Sequence, residues 1–152
     1  MKDKHWLWLL VAGVSLFGLF IVLSIVTVDT ETSQRVFVIF SEIIGLATLA
    51  LAIWGWVYRS SEKWLYLATI VFLSGWLMLG IAYEIGLDSS TEYGLVWFII
   101  YYAVAIISIV VLKISIGKTE TRKTLFPVTL SFVQGIQLAY IIVIHIIWTL
   151  PF

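Results

Sequence analysis

Apolar positions along this chain fall into five long, almost unbroken runs: Trp6–Val28, Val36–Tyr58, Trp64–Leu87, Tyr93–Ile116 and Leu125–Leu150. Each reaches the ~20 residues that a helix needs to cross the hydrocarbon core of a bilayer. The two-residue alternation of lipid-facing barrel strands is absent. Helices are therefore predicted throughout, because a helix satisfies its own backbone groups in lipid. The connectors Asp29–Arg35, Arg59–Lys63, Asp88–Glu92 and Gly117–Thr124 are short and polar, which predicts antiparallel neighbours. The predicted fold class is all-α: a polytopic membrane helix bundle of five transmembrane helices, one domain over residues 1–152, with no soluble domain.

The pattern is not featureless. In the last run, Ser131, Gln134, Gln137, His145 and Thr149 fall within about a third of the helix circumference at ~100° per residue. Lipid gives two amides and an imidazole nothing to bond to, so this stripe is expected to face protein, water or a ligand. The second and third runs each carry a carboxylate, Glu42 and Glu84. A charge at the centre of a spanning helix costs about 2.5–3.5 kcal/mol, which makes both functional candidates.

Charge fixes the expected orientation. Threading the chain back and forth five times puts Lys2, Lys4, Arg59, Lys63, Lys113, Lys118, Arg122 and Lys123 at one end and Arg35 alone at the other. By the positive-inside rule the N-terminus is expected in the cytoplasm and the C-terminus outside. The outer loops then carry Asp29, Glu31, Asp88 and Glu92. Trp6, Trp8, Trp56, Tyr58, Trp64, Tyr93, Trp97 and Trp148 lie near run ends, where amphipathic rings anchor helices at the interface. Pro127 sits in the first turn of its helix, where its missing N–H breaks nothing. The first run is about 23 residues long with no small-x-small cleavage site after it, against ~7–15 for a secretory signal core. It is expected to be a retained span.

At ~1.5 Å per residue, Glu42, Glu84 and His145 come roughly 9, 5 and 8 Å below the same outer boundary. Three helices thus bring two carboxylates and an imidazole to one depth, with Tyr101, Tyr102, Ser24 and Thr27 at a comparable level. The expected binding site is an outer-facing polar pocket of Glu42, Glu84 and His145, continued toward the middle by Gln137 and Gln134 and flanked by Tyr101. Small residues mark faces where helices can approach closely: Ser41, Gly45, Thr48 and Ala52 on the second helix, Gly80 near Glu84, and Tyr101, Ala105 and Ser108 along one side of the fourth.

Composition narrows the function. The chain is 62% apolar and 12% charged, with a mean hydropathy of +1.09. Soluble domains carry about a quarter charged residues, so the principal partner is the lipid bilayer, and the expected location is the cell membrane. With zero net charge and no basic patch interleaved with aromatics, no nucleic-acid partner is expected. The lack of cysteine excludes disulfides, thiol redox chemistry and thiolate metal sites. No cofactor and no catalytic residue is expected. His5 and His145 lie at opposite ends and cannot both ligate one haem, and Lys113 is too near a helix end for a retinal Schiff base. Two glutamates and a histidine could ligate a metal, but no close ligand spacing supports that, and none is assigned. No metalloprotease, nucleophile-elbow, phosphate-loop or selectivity-filter motif occurs.

Three readings follow. The first is a small carrier or channel-type protein binding protons, cations or a small polar solute in the outer pocket. The second is a non-catalytic subunit of a larger membrane complex, and the third a membrane-embedded enzyme or binding protein for a lipid or quinone. A conducting form could need a homo-oligomer or other membrane subunits.

Overall fold

The computed structural model describes residues 3–59, 62–88 and 93–149, apart from the side chains of residues 3 and 4. Lys2, Glu92, Leu150 and the Lys4 side chain, used above for orientation and span limits, lie outside the described residues. Five helices follow in order: α1 (Asp3–Val26), α2 (Glu31–Tyr58), α3 (Lys63–Glu84), α4 (Gly94–Lys118) and α5 (Leu125–Thr149). All five are long and apolar enough to cross a membrane. Among the described residues there is no strand.

The apolar runs locate every helix, but local chemistry moves the ends. Helix α2 begins at Glu31, before its apolar run, because Glu31 to Arg35 can continue a helix and an acid in the first turn suits its positive end. This leaves only residues 27–30 to turn the chain. Helix α3 stops at Glu84, short of Leu87. Gly86 takes a left-handed φ of 65°, its N–H donates to the Tyr83 carbonyl, and Leu87 N–H reaches back to Ala82. This is a Schellman closure, which needs a residue without a Cβ penalty at that point. It places Glu84 in the terminal turn of α3.

Helix α3 is the hub. It packs with α1 and α2 on one flank and with α4 and α5 on the other. The buried positions of α2 (Ser41, Gly45, Thr48, Ala52, Gly55), α4 (Gly94, Phe98, Tyr101, Ala105, Ser108, Leu112, Ser115) and α5 (Pro127, Leu130, Gln134, Gln137, Ile141) alternate in steps of three and four. That is the 3.5-residue stripe of left-handed helix packing. Small residues do the close work. Gly13 lies against Thr48 and Gly55 against the Tyr66 ring, while a Cβ on Gly45 would stand 3.1 Å from the Phe17 ring. Between α3 and α4, Ser108 Oγ donates to the Val71 carbonyl at 3.0 Å and Ser115 Oγ to that of Trp64 at 3.1 Å. The matched spacing locks the antiparallel register.

The distribution of polarity is that of a molecule dissolved in lipid. Buried positions include Ser41, Thr48, Thr69, Ser108, Ser115, Gln134 and Gln137, whereas Ile43, Leu95, Ile106 and Phe132 are exposed. A chain folding in water buries its large aliphatic groups first. Here small and polar groups are buried together with Phe17, Phe72, Leu73 and Leu112 while many large aliphatic groups face outward, which suits a solvent as apolar as leucine.

Candidate functional site

The site forms where the first turns of α2 meet the last turn of α3. Arg35 and Glu42 stand two turns apart on α2 and so point to the same side. Arg35 makes a two-pronged bond to Glu84 of α3, Nη1 to Oε1 at 2.6 Å and Nη2 to Oε2 at 2.8 Å. Both side chains remain partly exposed, 46% and 37%. The Tyr83 ring lies 5.6 Å from the guanidinium carbon, adding a cation–π contact. Glu84 occupies the negative end of its helix, where a carboxylate is unfavourable, and the guanidinium offsets that.

Glu42 is half-buried beside this pair, and its carboxyl approaches that of Glu84. Gly80 makes the approach possible: a Cβ there would stand 3.2 Å from Glu42 Oε1, so the glutamate lies across the bare backbone of α3. An ionised carboxylate only accepts hydrogen bonds, so two neighbouring carboxyls can bond to each other only with one proton on the pair. Arg35, two carboxyls and one proton together carry no net charge. A neutral cluster is what a membrane boundary tolerates at low cost.

His145 is placed elsewhere. Its Nδ1 lies 2.8 Å from the Tyr102 hydroxyl and its ring stacks on Phe98 at 4.2 Å and 11°. Both partners are on α4, on the far side of α3 from Glu42. Among the described residues no three His, Asp or Glu side chains gather closely enough to hold a metal ion. The structure therefore unites Glu42 with Glu84 but not with His145.

Gln134 and Gln137 lie on the α5-facing flank of α3, at 0% and 2% exposure. A Cβ on Gly75 would stand 2.9 Å from Gln134 Nε2 and 3.4 Å from Gln137 Oε1, so both amides press against that glycine. All four of their polar side-chain atoms lack a hydrogen-bond partner. Tyr101, also fully buried, stacks on Trp97 at 5.3 Å and leaves its hydroxyl unpartnered. The amides do not continue the carboxylate site, because Gly75 and Gly80 present different faces of α3.

Two participants escaped the reading of the sequence. Arg35 lies in a polar connector by its sequence, although its seven-residue spacing from Glu42 puts the two on one face once α2 extends to Glu31. Gly75 carries no signal of its own in an apolar run. No family model matches the chain, and no curated protein or solved structure is similar to it.

Proposed function

We propose that this chain is a small multi-pass carrier or channel-type membrane protein that binds an exchangeable proton at the Arg35–Glu42–Glu84 cluster. The observation that carries this reading is the approach of two carboxyls from two helices beside one guanidinium. Arg35 already engages both oxygens of Glu84. An incoming metal ion would meet that guanidinium, whereas a proton on Glu42 would not. The positive-inside rule supports a cell-membrane orientation in which the lysine-rich end faces the cytoplasm and the cluster faces outward.

The test is proton flux into proteoliposomes carrying an internal pH dye, under an imposed pH gradient with the membrane potential clamped. Wild-type vesicles should dissipate the gradient faster than empty ones, and Glu42→Gln vesicles should match the empty control. Wild-type vesicles no faster than empty ones, or Glu42→Gln vesicles at the wild-type rate, would remove the reading.

A non-catalytic subunit is the second reading, favoured by one observation. Gly135 and Ala139 are exposed one turn apart on α5, and a Cβ on Gly135 would meet open space. Such a small-residue face admits a partner helix. A stoichiometric partner that co-purifies in mild detergent and is lost with Gly135→Leu would favour this reading over the carrier.

A further inference from the structure

The glutamine pair on α5 is a second polar feature, independent of the carboxylate cluster in charge, depth and helix flank. Gln134 and Gln137 are 0% and 2% exposed, and neither amide nitrogen nor amide oxygen of either residue has a partner. Both lie near the middle of α5 and both press on Gly75, the one buried residue of that stretch of α3 without a side chain. Two primary amides offer four N–H donors and two carbonyl acceptors. Protein elsewhere in lipid satisfies such groups across helices, and at this position α3 offers bare backbone instead of a partner side chain.

We infer that Gln134, Gln137 and the Gly75 backbone form a binding site at mid-membrane height for a small uncharged molecule that both donates and accepts hydrogen bonds, with water the simplest occupant. The donor set selects this class. The three atoms nearest a Cβ at Gly75 all belong to the two neutral amides, which offer an ion no opposite charge, and an apolar molecule would leave every amide atom unmet. Size is limited too. The amide atoms are sealed from solvent, so an occupant enters only as α3 and α5 move apart, which favours a small one. The site stands whether or not the boundary cluster moves protons.

Glutamine labelling makes the test direct, because the chain has only three glutamines, Gln34, Gln134 and Gln137. Full-length protein, labelled with nitrogen-15 in the glutamine side chains and reconstituted in lipid, is studied by magic-angle-spinning NMR with magnetisation transferred from water protons. Gln34, near the start of α2, serves as the internal reference. Transfer to the Gln134 and Gln137 amides is expected, with loss of both signals in Gly75→Ala, where the new Cβ displaces the Gln134 amide. Transfer to Gln34 alone, or a direct dipolar contact between the two amides with no water transfer, would overturn the inference. Unchanged transfer in Gly75→Ala would overturn the placement against α3. Gln134→Met keeps side-chain length and should abolish the partner signal at Gln137 while the protein still reconstitutes. If Gln137 kept full water transfer, the shared site would be refuted.

Discussion

On its α2 flank, helix α3 meets charged groups close to its end; on its α5 flank it meets two uncharged amides near its middle. The charged set is partly open to the surroundings, with the guanidinium bonded to one carboxylate and the second carboxyl close beside it. The amides are sealed, and their protein partners are missing. Gly75 lies about 14 Å from Glu84 along the α3 axis at ~1.5 Å per residue, enough to separate an interfacial setting from a fully apolar one. The contrast follows from solvation. Where water and headgroups are near, charge can persist if it is paired. Toward the hydrocarbon centre only neutral polarity can be carried, and each unpaired amide group there costs about 1–3 kcal/mol unless a small molecule bonds to it. Glycine serves both sites, giving Glu42 a path across α3 at Gly80 and giving the amides room at Gly75.

The largest effect that would break this comparison is loss of the titrating group. Glu42→Gln keeps the shape and offers an N–H donor toward Glu84 but removes an exchangeable proton. Proton flux in vesicles is expected to fall to the empty-vesicle level while the detergent-solubilised protein stays monodisperse. Gln134→Met, at the other site, should leave a measurable share of that flux. If the two variants behaved alike, the sites would not be separable in function.

Next in size is Gly75→Ala. A Cβ 2.9 Å from Gln134 Nε2 forces that amide to shift, and because Gln134 is fully buried it has little room to give, so the insertion costs about 1–3 kcal/mol. The alanine regains about 0.5–1 kcal/mol of helix propensity. The expected net change is a destabilisation of about 1 kcal/mol, measured by unfolding in a mixed-detergent titration.

How far the sequence disclosed these sites depends on which coordinate is asked for. Run lengths gave all five helices, and the small-residue spacing of Ser41, Gly45, Thr48 and Ala52 marked a face that is indeed buried. Counting residues from a span end gives depth, and by that measure Glu42, Glu84 and His145 belonged together. Depth is one coordinate of three. Which helices are neighbours, and how each is rotated, comes from packing: α3 separates α2 from α5, so His145 finds Tyr102 and Phe98 instead of Glu42. Arg35 was missed because the helix extends past its apolar run into residues that look like a loop. The amides were legible as a polar stripe, but their dependence on Gly75 was not, since close approach leaves no mark on a single helix.

Smaller effects sharpen the role of α3 as the divider. Ser108→Ala and Ser115→Ala each remove a hydroxyl bond to an α3 carbonyl. Interhelical bonds of this type average about 0.6 kcal/mol in membrane bundles. The double variant is expected to lose about 1 kcal/mol in the same unfolding titration, with proton flux unchanged.

At the opposite end, Lys123 pairs with Glu62 and lies 3.3 Å from Glu120, tying the α4–α5 loop to the start of α3. The hydrogen bond to Glu62 raises the lysine pKa above its ordinary value. A raised folded-state pKa contributes stability that is fully present below the unfolded value and is lost as pH rises through the folded one. Protease cleavage in this loop should therefore accelerate only in strongly alkaline buffer, and Lys123→Met should remove that dependence.

The smallest expected change in stability is also the most discriminating, because it uses the same substitution on the other flank of α3. In Gly80→Ala the new Cβ would stand 3.2 Å from Glu42 Oε1, the far end of a flexible side chain that can give by a few tenths of an ångström. Here the propensity gain of about 0.5–1 kcal/mol is not outweighed, and unfolding should show a neutral or slightly stabilised protein. The moved carboxyl, however, no longer approaches Glu84 as closely, so a proton bound at Glu42 is held differently. The pH dependence of vesicle flux should shift although the fold does not weaken. A Gly80→Ala protein with an unchanged pH profile would mean that the approach of Glu42 across α3 is packing alone. A loss of stability as large as that of Gly75→Ala would mean that the two flanks are equally rigid, and the contrast between a yielding charged boundary and a sealed neutral centre would fail.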